Sequence, residues 1–164
     1  MDAFYASVEM QEHPEWKNKA LIVGQDPRQN GGHGVVATCN YVARKYGVHS
    51  AMAAIQAVRL VPKELIVFTR PRFDKYRAVS AKIHSFMHDV TDQVESVALD
   101  EAYLDVTHPK IEQESAVQIA LDLQKRIRQE VGLNSSFGVS YNKFLAKMGS
   151  EYAKPFGLSL IHIS

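Results

Sequence analysis

An α+β fold is predicted by three features of the sequence. Two long stripes of apolar residues recur at three- and four-residue spacing, short strand-like runs lie around them, and Gly, Pro and Asn residues punctuate the joins. Long helices interleaved with antiparallel strands suggest a sandwich with the helices on one face of a sheet.

The elements follow in order. Residues 3–11 carry Phe4, Val8 and Met10 on an irregular helical face, and Pro14 ends or kinks that segment. Residues 20–23 are a short strand. Residues 24–34 hold four glycines with Asp26, Pro27 and Asn30, which makes a long loop. A strand is expected over 35–39. Asn40 then caps a short helix to Tyr46, with Arg44 and Lys45 near its negative end and Gly47 as its stop. A second short helix over 53–60 stops before Pro62, 65–69 is strand-like, and Pro71 marks a lobe boundary. Beyond it, Phe73, Tyr76, Val79, Ile83, Met87 and Val90 form a long amphipathic helix. Ala116, Ala120, Leu123, Ile127 and Val131 form another, stopped by Gly132. A strand over 133–140 and a helix over 142–152 complete the pattern. No internal repeat or low-complexity tract interrupts it.

The 164 residues suit one domain, or one domain carrying a smaller inserted lobe. A hydrophobic fraction of 46% against 23% charged describes a chain able to bury a core, which argues against disorder. The single Cys39 permits no internal disulfide. No apolar run is long enough to span a bilayer or act as a signal-peptide core, so the expectation is a cytoplasmic protein with no membrane partner. A formal net charge of +1 gives no general footprint for nucleic acid, so such a partner has to be argued locally. Seven histidines show no metal spacing with Cys39, and the glycines at 31, 32 and 34 form neither a dinucleotide fingerprint nor a P-loop.

Asp100 and Glu101 stand between two apolar strand-like runs, 97–99 and 102–106. Successive side chains on a strand point to opposite faces, so adjacent carboxylates reach one site only where the backbone turns. A hairpin apex at Asp100-Glu101 fits, although Asp-Glu is a poor two-residue turn on its own chemistry. Broken local rules at an apex usually mark function. For the dipeptide alone, a solvated turn is the plainer interpretation.

Further runs change that weighting. Asp2-Ala3-Phe4-Tyr5-Ala6-Ser7-Val8-Glu9, Asn40-Tyr41-Val42-Ala43-Arg44-Lys45-Tyr46-Gly47-Val48, Leu99-Asp100-Glu101-Ala102-Tyr103-Leu104-Asp105, Asn142-Lys143-Phe144-Leu145-Ala146-Lys147 and Lys154-Pro155 stand in an order that resembles the Y-family translesion DNA polymerases, most closely their bacterial DNA polymerase IV class. The resemblance implies a ferredoxin-like palm over 1–11 and 73–157, with a small fingers lobe over 12–72. It implies template-directed addition of dNTPs to primer–template DNA by two Mg²⁺ ions, in translesion synthesis and DNA repair. A sliding clamp would be a partner through regions outside this sequence.

Residue by residue, the resemblance makes Asp100 and Glu101 the catalytic pair and metal ligands, with the Met1 backbone carbonyl as a further ligand. Phe4 and Tyr5 match nucleotide-binding positions, Tyr5 as the steric gate against a 2′-hydroxyl. Ala37 and Thr38 match the roof over the incoming base. Tyr41 and Arg44, three apart on one helical face, match the pair that holds the β- and γ-phosphates, and Lys154 matches a lysine that neutralises the triphosphate. Lys143 and Lys147 would meet template or primer phosphates, with surface lysines as the plain alternative.

Two departures from the family pattern bear on the ends. Met1-Asp2 matches only the last two positions of the family's Asp-x-Asp, so its first Asp and the strand before it are expected upstream, with an internal Met taken as the start. Residues 158–164 resemble a translated transposon-end sequencing adapter and are expected to be a non-native tail, with an apolar strand as the alternative. For the chain alone, a catalytically incomplete nucleotide- or DNA-binding remnant is the second reading, and a palm-type nucleotidyl cyclase the third.

Overall fold

The computed structural model describes residues 1–112 and 115–160, and the last four residues of the expected tail lie outside them. The chain forms two compact units, Ala3–Phe73 and Met1–Asp2 with Asp74–Ser164. In the structure α1 (Phe4–Glu12) lies with the first unit, because its apolar side packs on that unit's sheet.

The Ala3–Phe73 unit is built around β1 (Ala20–Val23), whose four residues are all buried. It pairs antiparallel with β2 (Thr38–Cys39) and parallel with β3 (Ile66–Thr69), giving the order β2-β1-β3. Alternation along β1 divides the core. Leu21 and Val23 meet Ala6 and Met10 of α1. Ala20 and Ile22 meet Ala43 of α2 (Tyr41–Lys45) and Ala57 of α3 (Ala54–Leu60) on the other face. A central strand covered on both faces reads as a continuous apolar run, and Ala-Leu-Ile-Val is one. The strand expected over 35–39 shrinks to two residues because Val35 bridges separately to Ala53, with the Val36 amide donating to Met52 O at 2.8 Å. A buried ion pair closes this unit. Arg72 forks onto Glu9, Nε to Oε1 at 3.0 Å and a terminal nitrogen to Oε2 at 2.6 Å, while Glu9 is 1% exposed.

In the other unit α4 (Phe73–Val90) and α5 (Ala116–Glu130) bury the stripes their spacing predicts, including Tyr76, Ile83, Leu123 and Ile127. Arg126 joins them, lying 4.1 Å over the Phe86 ring and 2.8 Å from Asp89. Ser115 caps α5 through the Gln118 amide, and Gly132 stops it at φ 74, a left-handed conformation that suits glycine.

A single antiparallel sheet was expected here, and the structure differs. β4 (Val94–Ala98) pairs antiparallel with β5 (Glu101–Leu104), while β6 (Phe137–Val139) pairs parallel with β7 (Leu158–Leu160) in a separate sheet. Residues 133–136 leave the expected strand because their carbonyls are engaged otherwise. Asn134 O accepts from the Asp2 amide at 3.1 Å, and Ser135 O from Gln124 Nε2 at 2.8 Å. Helix α6 (Lys143–Tyr152), capped by Asn142, lies directly on β6 at Gly138. A Cβ there would stand 1.9 Å from Ala146 O. Among the described residues no helix is long and apolar enough to cross a membrane.

Candidate active site

The carboxylate pair sits at the β4–β5 connection, one residue out of the expected register. The turn is Leu99-Asp100, and Glu101 already opens β5 opposite Ala98. Turn chemistry gives the reason: Asp tolerates turn conformations that Glu does not favour. A register shift between Ser96 and Ala98 marks a bulge just before the turn, a device that re-aims side chains. The hairpin is fastened at both ends, by Ser80 of α4 and by Thr91 just past its last residue. Ser80 Oγ donates to Leu99 O at 2.5 Å, and Thr91 Oγ1 to Asp105 O at 2.7 Å.

Met1 and Asp2 belong to this unit. The Met1 amine donates to Asp100 O at 2.6 Å, and its burial pushes its pKa down while the charge of Asp100 opposes that shift. Asp2 is buried, and its carboxylate accepts from Ser136 Oγ (2.8 and 3.0 Å) and from the Phe156 amide (2.6 Å). It therefore ties the chain start to β6 and to the Lys154-Pro155-Phe156 turn.

Lysines surround the pair. Lys147 reaches Glu101 Oε1 at 2.8 Å and Glu151 Oε1 at 2.9 Å. Lys154 reaches the same Glu151 oxygen at 3.1 Å. Burial lowers the Lys147 pKa, but its bonds to Glu101 and Glu151 more than offset that and leave it raised. The Lys147 bond holds the Glu151 carboxyl below its ordinary range. Lys143 pairs with Glu95. Both lysines expected to meet DNA phosphates are thus engaged with carboxylates in this structure. Glu101, Lys143, Lys147, Glu151 and Lys154 line a cleft of about 1280 Å³, together with Leu104, Leu123, Phe137 and Val139.

The remaining expected residues lie in the Ala3–Phe73 unit. Phe4 is buried, and Tyr5 is half-buried with its ring edge-on to Phe73 at 5.7 Å. Thr38 is buried beside the exposed Ala37. Arg44 lies 4.8 Å over the Tyr41 ring, with Nε donating to Cys39 O at 3.3 Å. Asn40 organises this pair. Its Oδ1 accepts from the amides of Ala43 (3.0 Å) and Leu21 (3.1 Å), and its Nδ2 donates to Lys19 O at 2.8 Å. One side chain therefore caps α2 and anchors it to β1.

Among the described residues no three His, Cys, Asp or Glu side chains converge as a metal cluster. The hard oxygen donors at the β4–β5 turn are the carboxylates of Asp100 and Glu101. Two carboxylates suit Mg²⁺, which keeps several waters and takes further oxygens from substrate phosphates. Ser80, Thr91, Asn40 and Glu151 were missed as supporting residues in the sequence. Only Asn40 carried a signal, as a helix cap; Ser80 and Thr91 are single polar residues whose carbonyl partners lie 19 and 14 residues away, and Glu151 is one charge among several on its helix.

Comparison with known proteins adds family evidence. The model of the impB/mucB/samB family matches residues 1–151. DNA polymerase IV of Streptococcus pyogenes is 51% identical over 161 residues, which are 98% of this chain and 44% of that protein. The crystal structure of DinB from Sulfolobus solfataricus superposes with a TM-score of 0.87 at 35% identity, covering 98% of this chain and 46% of that one. An insertion ternary complex of Dbh DNA polymerase gives 0.87 at 34%, with the same coverage. The chain thus spans less than half the length of these relatives.

Proposed function

The chain belongs to the impB/mucB/samB family of Y-family polymerase domains, and on that premise we propose that it is the palm-and-fingers portion of a template-directed DNA polymerase acting in translesion synthesis. The observation that carries the reading is the Asp100-Glu101 pair presented at a braced hairpin turn, in a cleft that Lys154 also lines. Two Mg²⁺ ions, when bound, would supply charge neutralisation of the triphosphate and activation of the primer hydroxyl.

The chain's own residues have distinct parts. Asp100 and Glu101 would hold the metal, with the Met1 carbonyl as a further oxygen ligand. Lys154 would neutralise phosphate charge, and Tyr41 with Arg44 would grip the β- and γ-phosphates through a hydroxyl and a guanidinium. Phe4 and Tyr5 would pack against the nucleotide sugar, and Tyr5 would exclude a 2′-hydroxyl. Ala37 and Thr38 would cover the base. Primer–template DNA and a dNTP are the substrates this assigns, and a sliding clamp would be a partner of the longer protein. The named relatives are DNA polymerases, which favours neither a cyclase nor a binding remnant.

Primer extension tests the reading, using this chain and a version joined to the missing length of a relative. Incorporation should need Mg²⁺ and stop with EDTA. A bound metal contributes several kcal/mol at the transition state, so Asp100→Asn should lower incorporation by at least about 100-fold. Tyr5→Ala should admit ribonucleotides. Metal-independent incorporation, or Asp100→Asn at full activity, would refute the assignment.

A further inference from the structure

Glu101, Lys147, Glu151 and Lys154 form an unbroken chain of alternating charge, with contacts of 2.8, 2.9 and 3.1 Å. Its two ends are the groups that the polymerase reading assigns to metal and triphosphate. Of its two middle members, Glu151 has no part in that reading, and Lys147 enters it only as a contact for template or primer phosphate, not for metal or triphosphate. Lys147 and Glu151 stand one turn apart on α6, whose placement is fixed by its contact with β6 at Gly138. The four side chains are between 32% and 50% exposed. Ion pairs at that exposure are weak and exchangeable, unlike buried ones.

We propose that Lys147 and Glu151 are positioning residues that hold Glu101 and Lys154 in the ligand-free chain and release them when a divalent cation and a triphosphate arrive. The exchange is balanced in charge. The cation takes over the Glu101 carboxylate from Lys147, the triphosphate takes over Lys154 from Glu151, and Lys147 and Glu151 keep each other as an i,i+4 pair. No buried charge is left alone at any stage. Lys147 thus competes with metal for Glu101 while keeping that carboxylate on the α6 side of the hairpin. The inference rests on the assignment of Asp100 and Glu101 as metal ligands.

Binding of Mn²⁺ to the whole chain, read from the electron paramagnetic resonance signal of the free ion, tests this with and without a non-hydrolysable dNTP. Removing the competing ammonium in Lys147→Met should tighten Mn²⁺ binding roughly two- to five-fold, the range of a partly exposed pair. Lys147→Arg keeps the pairing and should bind as the unmodified chain does, which also checks that substitution here leaves the fold intact. Lys143→Met removes an equal charge from the same helix without touching Glu101 and should leave Mn²⁺ affinity unchanged. Glu151→Gln frees Lys147 for Glu101 and Lys154 for phosphate, so it should weaken Mn²⁺ binding and tighten nucleotide binding. If Lys147→Met binds no more tightly than Lys143→Met, the exchange is overturned while the metal assignment stands. If neither the unmodified chain nor Lys147→Met binds Mn²⁺ in either condition, the metal assignment falls, and the exchange with it.

Discussion

The two units solve the problem of holding a functional side chain in opposite ways. In the Ala3–Phe73 unit the central strand β1 is buried along its whole length and covered by helices on both faces. Tyr41 and Arg44 are placed by apolar packing plus one capping asparagine. In the other unit β4 exposes four of its five residues, and among the described residues each sheet has two strands, an arrangement of marginal stability on its own. The carboxylate hairpin is held instead by side chains bonded to distant carbonyls, Ser80 at Leu99 and Thr91 at Asp105. Packing is collective and tolerates small losses. Point fastenings are few, and each one matters.

The largest expected effect breaks the first unit at its one buried charge. Arg72→Met takes the guanidinium from a carboxylate that is 1% exposed, and because Arg72 itself is 44% exposed the cost should fall at about 2–3 kcal/mol. Urea unfolding of the variant measures it, and a change within error would show that Glu9 is carried by its other surroundings. Gly138→Ala breaks the second unit. The added Cβ meets Ala146 O and Ser150 N, both backbone, so α6 has to move, at a cost of roughly 1–3 kcal/mol. That displacement would also disturb the Lys147–Glu101 contact, so stability and Mn²⁺ affinity should change together. The smallest effect sharpens the contrast by titration. The Arg28 side chain bonds Asp26 and holds its carboxyl below the ordinary 3.8. The unfolded chain therefore takes up the proton first as pH falls. The stabilisation is fully present above 3.8 and is lost as pH drops through the lower folded value. Asp26→Asn should abolish that acid-side loss, a surface effect under about 1 kcal/mol, seen as a flatter melting profile below pH 4.

How much of this was legible in the sequence follows the same division. The helices over 73–90 and 116–130 and the strand Ala20–Val23 could be seen from period and run length, since burial dictates those patterns. Asn40 could be identified as a cap but not as the partner of Lys19 and Leu21, because cap chemistry is local and strand pairing is not. The Leu99-Asp100 turn was displaced by one residue, as a bulge at Ser96–Ala98 leaves no mark in a hydrophobic pattern. The short extent of β6 escaped for a related reason. Residues 133–136 continue the run into Phe137-Gly138-Val139 with nothing local to stop a strand, yet Asp2 and Gln124 claim the carbonyls of Asn134 and Ser135 from across the chain. The carboxylate pair and the lysines near it were visible by motif, whereas the bond of Lys147 to Glu101 was not, since the motif assigns Lys147 to nucleic-acid phosphates.

Asn40 has a consequence for energetics as well as geometry. A five-residue helix cannot sustain itself, since the cost of its first turn exceeds what its few bonds return. The orientation of Tyr41 and Arg44 therefore exists only while β1 and β2 are paired, and the Asn40 side chain is the link that makes the two events one. Any phosphate ligand gripped by that pair would draw on the folding equilibrium of the sheet. By mass action it would return the same free energy as resistance of the Ala3–Phe73 unit to melting, proportional to the logarithm of ligand concentration once the site is filled.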